Sequence, residues 1–288
     1  SNFGFRIWLA HDTRDTLEHE GTIRLTVFVT TLIVIALGEG WFPRRKRTQS
    51  RRVRWLTNFG LVTLDTIVIR LFFPLAAVGF AWQAQQLHWG LLNNIDVPYW
   101  LAVVVGAAAL DLIIYFQHVL FHAVPALWRL HMVHHTDLDY DFTTGIRFHP
   151  IEVLLSMVIK IASIAALGPP MLAVLIFEIV LNAAAMFNHS NMRLPAWLDS
   201  ALRYFVVTPD MHRVHHSWLR KETNSNYGFN LAWWDRLFGT YRAQPEAGHD
   251  GMTIGLEHMR DSNQLSFGKI LILPWRGQVG RYPINRDP

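Results

Sequence analysis

The sequence predicts an all-α fold, a polytopic membrane helical bundle with a histidine-rich metal-binding region on its cytoplasmic face. Three observations carry that expectation. The chain of 288 residues is 51% hydrophobic, with a mean hydropathy of +0.18, too apolar for an ordinary water-soluble domain. The apolar residues are gathered into runs close to the length needed to cross a hydrocarbon core about 30 Å thick. Eight of the 15 histidines fall into three boxes: His118 with His122, His131 with His134 and His135, and His212 with His215 and His216.

On a helix, positions i and i+3 or i+4 share a face, so each box can direct two imidazoles at one point. Neutral imidazole is the commonest protein ligand for zinc, iron, copper and nickel near neutral pH. Any one of these histidines could instead be an ordinary surface or core residue; the repetition of the spacing argues for ligands. The chain has no cysteine, which excludes cysteine-ligated iron-sulfur clusters, thiolate haem, thiolate zinc and disulfides. Whatever metal is bound sits on nitrogen and oxygen.

Taken in order, residues 1–21 are mixed, with a polar stretch at 11–21, and show no basic leader with a cleavage site, so no removable signal peptide is expected. Residues 25–42 form the first span, with Glu39 its only charge and Trp41 and Phe42 at an interfacial position. Arg44, Arg45, Lys46, Arg47, Arg51, Arg52 and Arg54 follow, with no acid among them. Between two apolar helices this is a positive-inside signal that places the loop in the cytoplasm. It is not a nucleic-acid patch, which would need a soluble setting and stacking aromatics.

Residues 58–82 give the second span, interrupted near Pro74, with Asp65 and Arg70 expected to face protein rather than lipid. The connection at 83–98 should lie on the opposite side, with Trp89, Tyr99 and Trp100 as interfacial aromatics. The third span, 99–121, runs into the first box. Asp111, Tyr115, His118 and His122 share one of its faces, so Asp111 is a candidate to accept the second N–H of a ligand imidazole; the alternative is a polar residue that packs helices.

Residues 131–149 carry Asp137, Asp139 and Asp141 and read as a segment in water on the cytoplasmic side. The apolar stretch 151–187, broken by Gly168-Pro169-Pro170, is a helical hairpin that crosses twice or re-enters, its two ends on one face. It returns His189 to the other boxes. Glu178, Asn182 and His189 share a face that should point inward, although His189 could simply terminate its helix. Residues 190–288 are soluble in composition, and the tail from Gln244 reads as loop. The organisation is thus 1–110 with N-terminal spans and basic loop, 111–241 with the histidines, and 242–288 as tail.

The boxes occur with His149-Pro150-Ile151-Glu152, Asn188-His189-Ser190, Asn226-Tyr227-Gly228 and Trp234-Asp235-Arg236-Leu237-Phe238-Gly239-Thr240. Together, from about Asp111 to Tyr241, these motifs resemble the fatty acid hydroxylase and sterol desaturase superfamily. The resemblance implies a cytoplasmic dimetal domain holding two iron ions on His118, His122, His131, His134, His135, His189, His212, His215 and His216. It implies O2 as co-substrate, a membrane lipid as substrate, and electrons from a separate electron-transfer protein. His149 matches a recurrent His-Pro position, as a ligand or as a support for one. No His-Pro-Gly-Gly motif is present, so no fused cytochrome domain is implied.

The expected function is hydroxylation of an unactivated C–H bond in a fatty acyl, sterol or other membrane lipid. A desaturase using the same chemistry is the nearest alternative. A histidine-rich metal transporter would need ionisable groups along several helices at the bilayer midplane, whereas these histidines cluster at helix ends. A zinc protease would need HExxH or an equivalent glutamate in its boxes. Without an evident eukaryotic retention signal, the expected location is a bacterial inner membrane.

Overall fold

The computed structural model describes residues 2–276 and 278–284, with side chains from His19 onward, and among these it is built of helices and turns. The first helix, α1 (Asn2–Trp41), is one continuous rod, so the polar stretch at 11–21 is helical as well. Its apolar part presents Leu25, Val29, Ile33 and Leu37 outward, each between 42% and 64% exposed. A stripe of large apolar residues at steps of four, left uncovered, suits hydrocarbon and not water.

Two helices follow, α2 (Arg51–Phe72) and α3 (Ala76–Gln86), separated where Pro74 prevents continuation. The third span is α4 (Tyr99–Ala123), followed after Val124 by α5 (Pro125–His135). The expected hairpin is α6 (Pro150–Leu167) and α7 (Met171–Asn188), each about 27 Å long at 1.5 Å per residue. Five segments, α1 from His19, α2 with α3, α4, α6 and α7, are long and apolar enough to cross a membrane. The chain is a multi-pass membrane protein.

The hairpin turns at Gly168, which caps α6 in the left-handed region at φ 61°. A Cβ there would stand 2.5 Å from the Trp89 carbonyl oxygen and 2.6 Å from Asn93 Nδ2. Only glycine lets the hairpin tip meet the α3–α4 connection. Because the tip is held at that end, Pro150 and Asn188 emerge together at the other. Inside the bundle, Ala77, Ala81 and Ala84 of α3 pack against Leu110 of α4 and Val174 and Phe177 of α7. Small side chains here let the helices approach closely, where dispersion rather than water expulsion drives packing.

At the open end sits a cap made of α5, a 3-10 turn over Phe142–Ile146, and the short helices α8 (Ala196–Leu202), α9 (Pro209–His215), α10 (Arg220–Thr223), α11 (Trp233–Leu237), α12 (Gly248–Gly251) and α13 (Phe267–Arg276). Two segments fold differently from what the sequence predicts. Residues 131–147 do not lie in water; every one of them is buried. The reason is the basic segment. Arg54 donates to Asp137 at 2.6 and 2.8 Å and to Asp141 at 2.8 Å, while the Thr48 and Gln49 amides donate to Asp139. Arg44 reaches Asp210 and Asp250, and Arg45 donates to the carbonyls of His249 and Met252. Several of the charges that read as a topology signal are therefore ligands for the cap's own acids and carbonyls.

The tail from Gln244 is likewise not loop. Ile270 of α13 is buried against Leu61, Val133 and Leu138, and Trp128 packs with Leu256, Val279 and Tyr282 while its indole donates to the Val279 carbonyl. Glu39, the lone charge of the first span, is fully buried and accepts from the amides of Phe142 and Asn191 at 2.7 and 2.8 Å. It ties α1 to the cap.

Candidate metal centre

Four short stretches bring nine histidines to the junction of bundle and cap. The C-terminal turns of α4 supply His118 and His122, and Pro125 restarts the chain as α5, which carries His131, His134 and His135. His189 is the residue that ends α7. Thr208 caps α9 by accepting from the Met211 amide at 3.3 Å, Pro209 opens it, and His212 and His215 ride on it with His216 just beyond.

The nine fall into two groups. His118, His122, His131, His135 and His215 form one, and His134, His189, His212 and His216 the other; within each, one ring nitrogen per residue lies within 4.8 Å of all the rest. All nine are at most 6% exposed. In the second group the Nε2 atom of His189 is 3.1, 3.1 and 3.0 Å from Nε2 of His134, His212 and His216. Imidazoles bound at right angles to one ion, with bonds of about 2.1 Å, have their nitrogens about 3.0 Å apart.

The other ring nitrogens show which lone pairs are free. Carbonyl oxygens only accept, so Nδ1 is the protonated atom where it meets one: His118 on Tyr227 at 2.8 Å, His134 on Arg147 at 3.2 Å, His189 on Ala185 at 2.7 Å and His215 on Ser225 at 2.8 Å. His122 pairs with Asn224 Oδ1 at 3.1 Å and His131 with Glu152 Oε1 at 2.6 Å. This leaves Nε2 of His118, His122, His131, His135 and His215 buried without a partner among the described residues. Five converging lone pairs in a dry site repel one another unless a cation stands among them. Burial holds the rings neutral: His131 and His189 are pushed down to about 3, and His134, His135, His212, His215 and His216 well below their usual value by burial and then by one another. The donor set fits metal ions.

The Asn226-Tyr227-Gly228 and Trp234 to Thr240 motifs are the scaffold of this site. Asn226 sits in the left-handed region at φ 52°, a conformation asparagine tolerates better than most. Its side chain bonds the backbone of Met211 and Arg242. The turn lets Ser225 and Tyr227 each offer a carbonyl to a histidine, His215 and His118. Asp235 then clamps the amides of Tyr227 and Gly228 at 2.7 and 2.8 Å, and accepts from Thr240 at 2.7 Å. A Cβ on Gly228 would lie 2.6 Å from Asp235 Oδ2, so the close approach requires glycine.

Asp111, His149, Glu178 and Asn182 make no hydrogen bond to any of the nine rings among the described residues. Asp111 does not reach a histidine; its Oδ2 accepts from the Trp234 indole at 2.8 Å and the Leu231 amide at 3.1 Å, anchoring the scaffold loop to α4. His149 stands in neither group. It caps α6 by accepting from the Ile151 amide at 3.2 Å, and its Nε2 meets the Leu271 carbonyl. Glu178 is paired with Lys160 and Arg24, and Asn182 donates to the Glu178 carbonyl; both line a cavity rather than touch a ligand ring. The carboxylate that does meet a ring is Glu152, from the His149-Pro150-Ile151-Glu152 turn. His149 caps the helix that Glu152 belongs to, so the turn aims the acid.

A cavity of about 350 Å³ runs from His118, His131 and Glu152 into the bundle, between Ile69, Ile114, Met157 and Leu181. Nine buried histidines at one end of a helical bundle, open to a mostly apolar cavity, fit the class of membrane metalloproteins.

A family model described as fatty acid hydroxylase matches residues 103–240. The ornithine lipid hydroxylase OlsE of Rhizobium tropici is 30% identical over 226 residues, 76% of this chain and 67% of that protein. Alkylglycerol monooxygenase of Homo sapiens is 26% identical over 243 residues, 80% of this chain but 50% of that protein. Cholesterol 25-hydroxylase of Rattus norvegicus is 28% identical over 166 residues, 56% of this chain and 53% of that protein. No solved structure matches. The chain belongs to the fatty acid hydroxylase family and is an oxidoreductase of the hydroxylase type.

Proposed function

We propose that the two histidine groups hold two iron ions, five histidines on one and four on the other, and that the protein hydroxylates a membrane lipid with O2. The observation that carries this reading is the opening of the five-histidine group, through His118 and His131, onto the mostly apolar cavity between the spans. Iron bound there supplies the oxidant that an unactivated C–H bond needs, which side chains alone do not provide. The overall change is R–H + O2 + 2 electrons + 2 H⁺ to R–OH + H2O, the electrons coming from a separate donor protein.

The chain's own residues do the positioning. Glu152, Asn224 and the carbonyls of Tyr227 and Ser225 fix the ring planes of His131, His122, His118 and His215, four of the five histidines in that group. Phe121, Phe148 and Phe229 wall the cavity beside His118 and His131, so a hydrocarbon chain replaces water next to the rings and one carbon is held close. The cap, with the histidines, faces the cytoplasm of a bacterial inner membrane. Lipid mass spectrometry of cells with and without the gene tests the reading: a lipid heavier by one oxygen should depend on the gene. An oxygen-free lipidome difference, or loss of two hydrogens instead, would overturn it.

A further inference from the structure

We propose that the cavity holds its lipid by an anionic group, phosphate or carboxylate, seated on Lys160 and Arg24 within the membrane span. This rests on the lipid-hydroxylase reading above. A charged cluster stands here at a place where charge is costly. Glu178 of α7, 2% exposed, receives Lys160 Nζ of α6 on Oε1 at 2.6 Å. Arg24 of α1 places Nη1 2.9 Å from Glu178 Oε2 and 3.3 Å from Glu20. Arg24, Lys160 and Glu178 all line the cavity that ends at His118 and His131, and Arg70 lines it too.

Arg24 and Lys160 stand against Glu178 and Glu20, and Arg70 and Asp65 line the same cavity, so acids balance cations in number, while Asp65 makes no ion pair with the cations among the described residues. Both Glu178 oxygens already face a cation. Lys160 has three N–H groups and Arg24 five, and the contacts above use one nitrogen of each. What is left over is N–H donors on two side chains that line the cavity, which matches an acceptor-rich anion.

The cluster's depth follows from helix rise. Lys160 is eight residues beyond Glu152 on α6, and Glu178 is eleven before His189 on the other arm, so the anchor lies roughly 12–16 Å from the histidine layer. A lipid held there presents the carbon at that distance along its chain, whatever its total length.

Three probes with one chain length separate the outcomes: hexadecanoate, hexadecyl phosphate and the neutral hexadecanol, titrated against the purified full chain in neutral detergent. At least one anion should bind about 10-fold or more tightly than the alcohol, as charge-assisted hydrogen bonds give, and whichever binds better identifies carboxylate or phosphate. Lys160→Met should reduce that preference to under about 3-fold. Glu178→Gln, which frees both cations, should enlarge it. If the alcohol binds as tightly as both anions, or if both variants weaken all three probes alike as a purely structural cluster predicts, the anchor is refuted. Binding needs neither metal nor turnover, so an anion preference in a protein whose cells make no oxygenated lipid would sink the hydroxylase reading and leave the anchor standing. In cells that do make it, the oxidised carbon should keep a constant distance from the polar end across chain lengths and scatter in Lys160→Met.

Discussion

Glu152 accepts the Nδ1–H of His131 at 2.6 Å, across 21 residues of sequence, with both side chains at most 6% exposed. The pair fixes the ring so that Nε2 points at the other four histidines of its group. Replacing Glu152 by Gln keeps the shape and removes the charge. It should lower metal affinity or turnover by about 10–100-fold, the usual effect of losing such a partner, with helix content unchanged by circular dichroism. Equal metal content and turnover in Glu152→Gln would remove this residue from the site.

Asp111 should behave in the opposite way. Its carboxylate holds Trp234 and the Leu231 amide and no histidine. Asp111→Asn should lower the melting temperature, through loss of about 1–3 kcal/mol of charge-assisted bonding, while metal per folded chain stays at the wild-type value. Metal loss without a fall in melting temperature would contradict this.

Asp235 and Gly228 test the scaffold. Asn at 235 offers one acceptor where the amides of Tyr227 and Gly228 need two, and Ala at 228 puts a methyl 2.6 Å from Asp235 Oδ2. Either change should destabilise by about 1–3 kcal/mol. Each should also release metal from the five-histidine group first, since His118 and His215 take their carbonyls from this turn. Simultaneous loss from both groups would argue for global unfolding instead.

Acid should unfold the metal-free protein in two windows. His131 and His189 are held at about 3 by burial, against 6.5 in the unfolded chain, so below 6.5 the unfolded state binds more protons. Stability contributed by these rings is complete above pH 6.5 and is lost progressively as pH falls toward 3. Burial would raise the Asp137 carboxyl, but Arg54 outweighs it and holds it at about 2. Its contribution, complete above about 3.8, is lost as pH falls through 2. Denaturant melts from pH 8 to pH 4 should show a declining midpoint below 6.5, delayed to lower pH when metal is bound; a flat midpoint across that range would refute the burial argument.

The proposed cytoplasmic placement of the cap can be tested because the chain has no cysteine. Lys46 and Lys221 are exposed in the cap, and Asn94 is exposed on the connection opposite it. In intact cells an impermeant thiol reagent should label Asn94→Cys but neither Lys46→Cys nor Lys221→Cys. Labelling of the cap positions alone would invert the topology.

The helices and the ligand candidates were legible because both are local patterns. Apolar length marks a span, and i, i+3 and i+4 spacing puts His118 with His122 and His131 with His134 on one face. The two groups, however, mix the boxes: His134 parts from His131 and His135 and joins His189. No spacing rule decides that, because it depends on how α5 meets α7 and α9. An acid in an apolar helix needs a partner, and for Asp111 that partner lies 120 residues onward in a loop. The basic run 44–54 was ambiguous for a different reason. Charge composition gives the same signal whether arginines face anionic lipid or, like Arg54, fold back onto buried aspartates. Glu152 was visible in its motif, yet its role follows from the entry angle of α6, which His149 sets by capping it.

Whether the nine histidines hold two ions is read from elemental analysis of the purified chain. Iron measured by plasma mass spectrometry against protein concentration should approach two ions per chain. His215→Ala should empty the five-histidine site and His212→Ala the four-histidine site, each variant retaining about one ion if the sites fill independently. One ion per chain in the wild type, or two retained in both variants, would contradict the account.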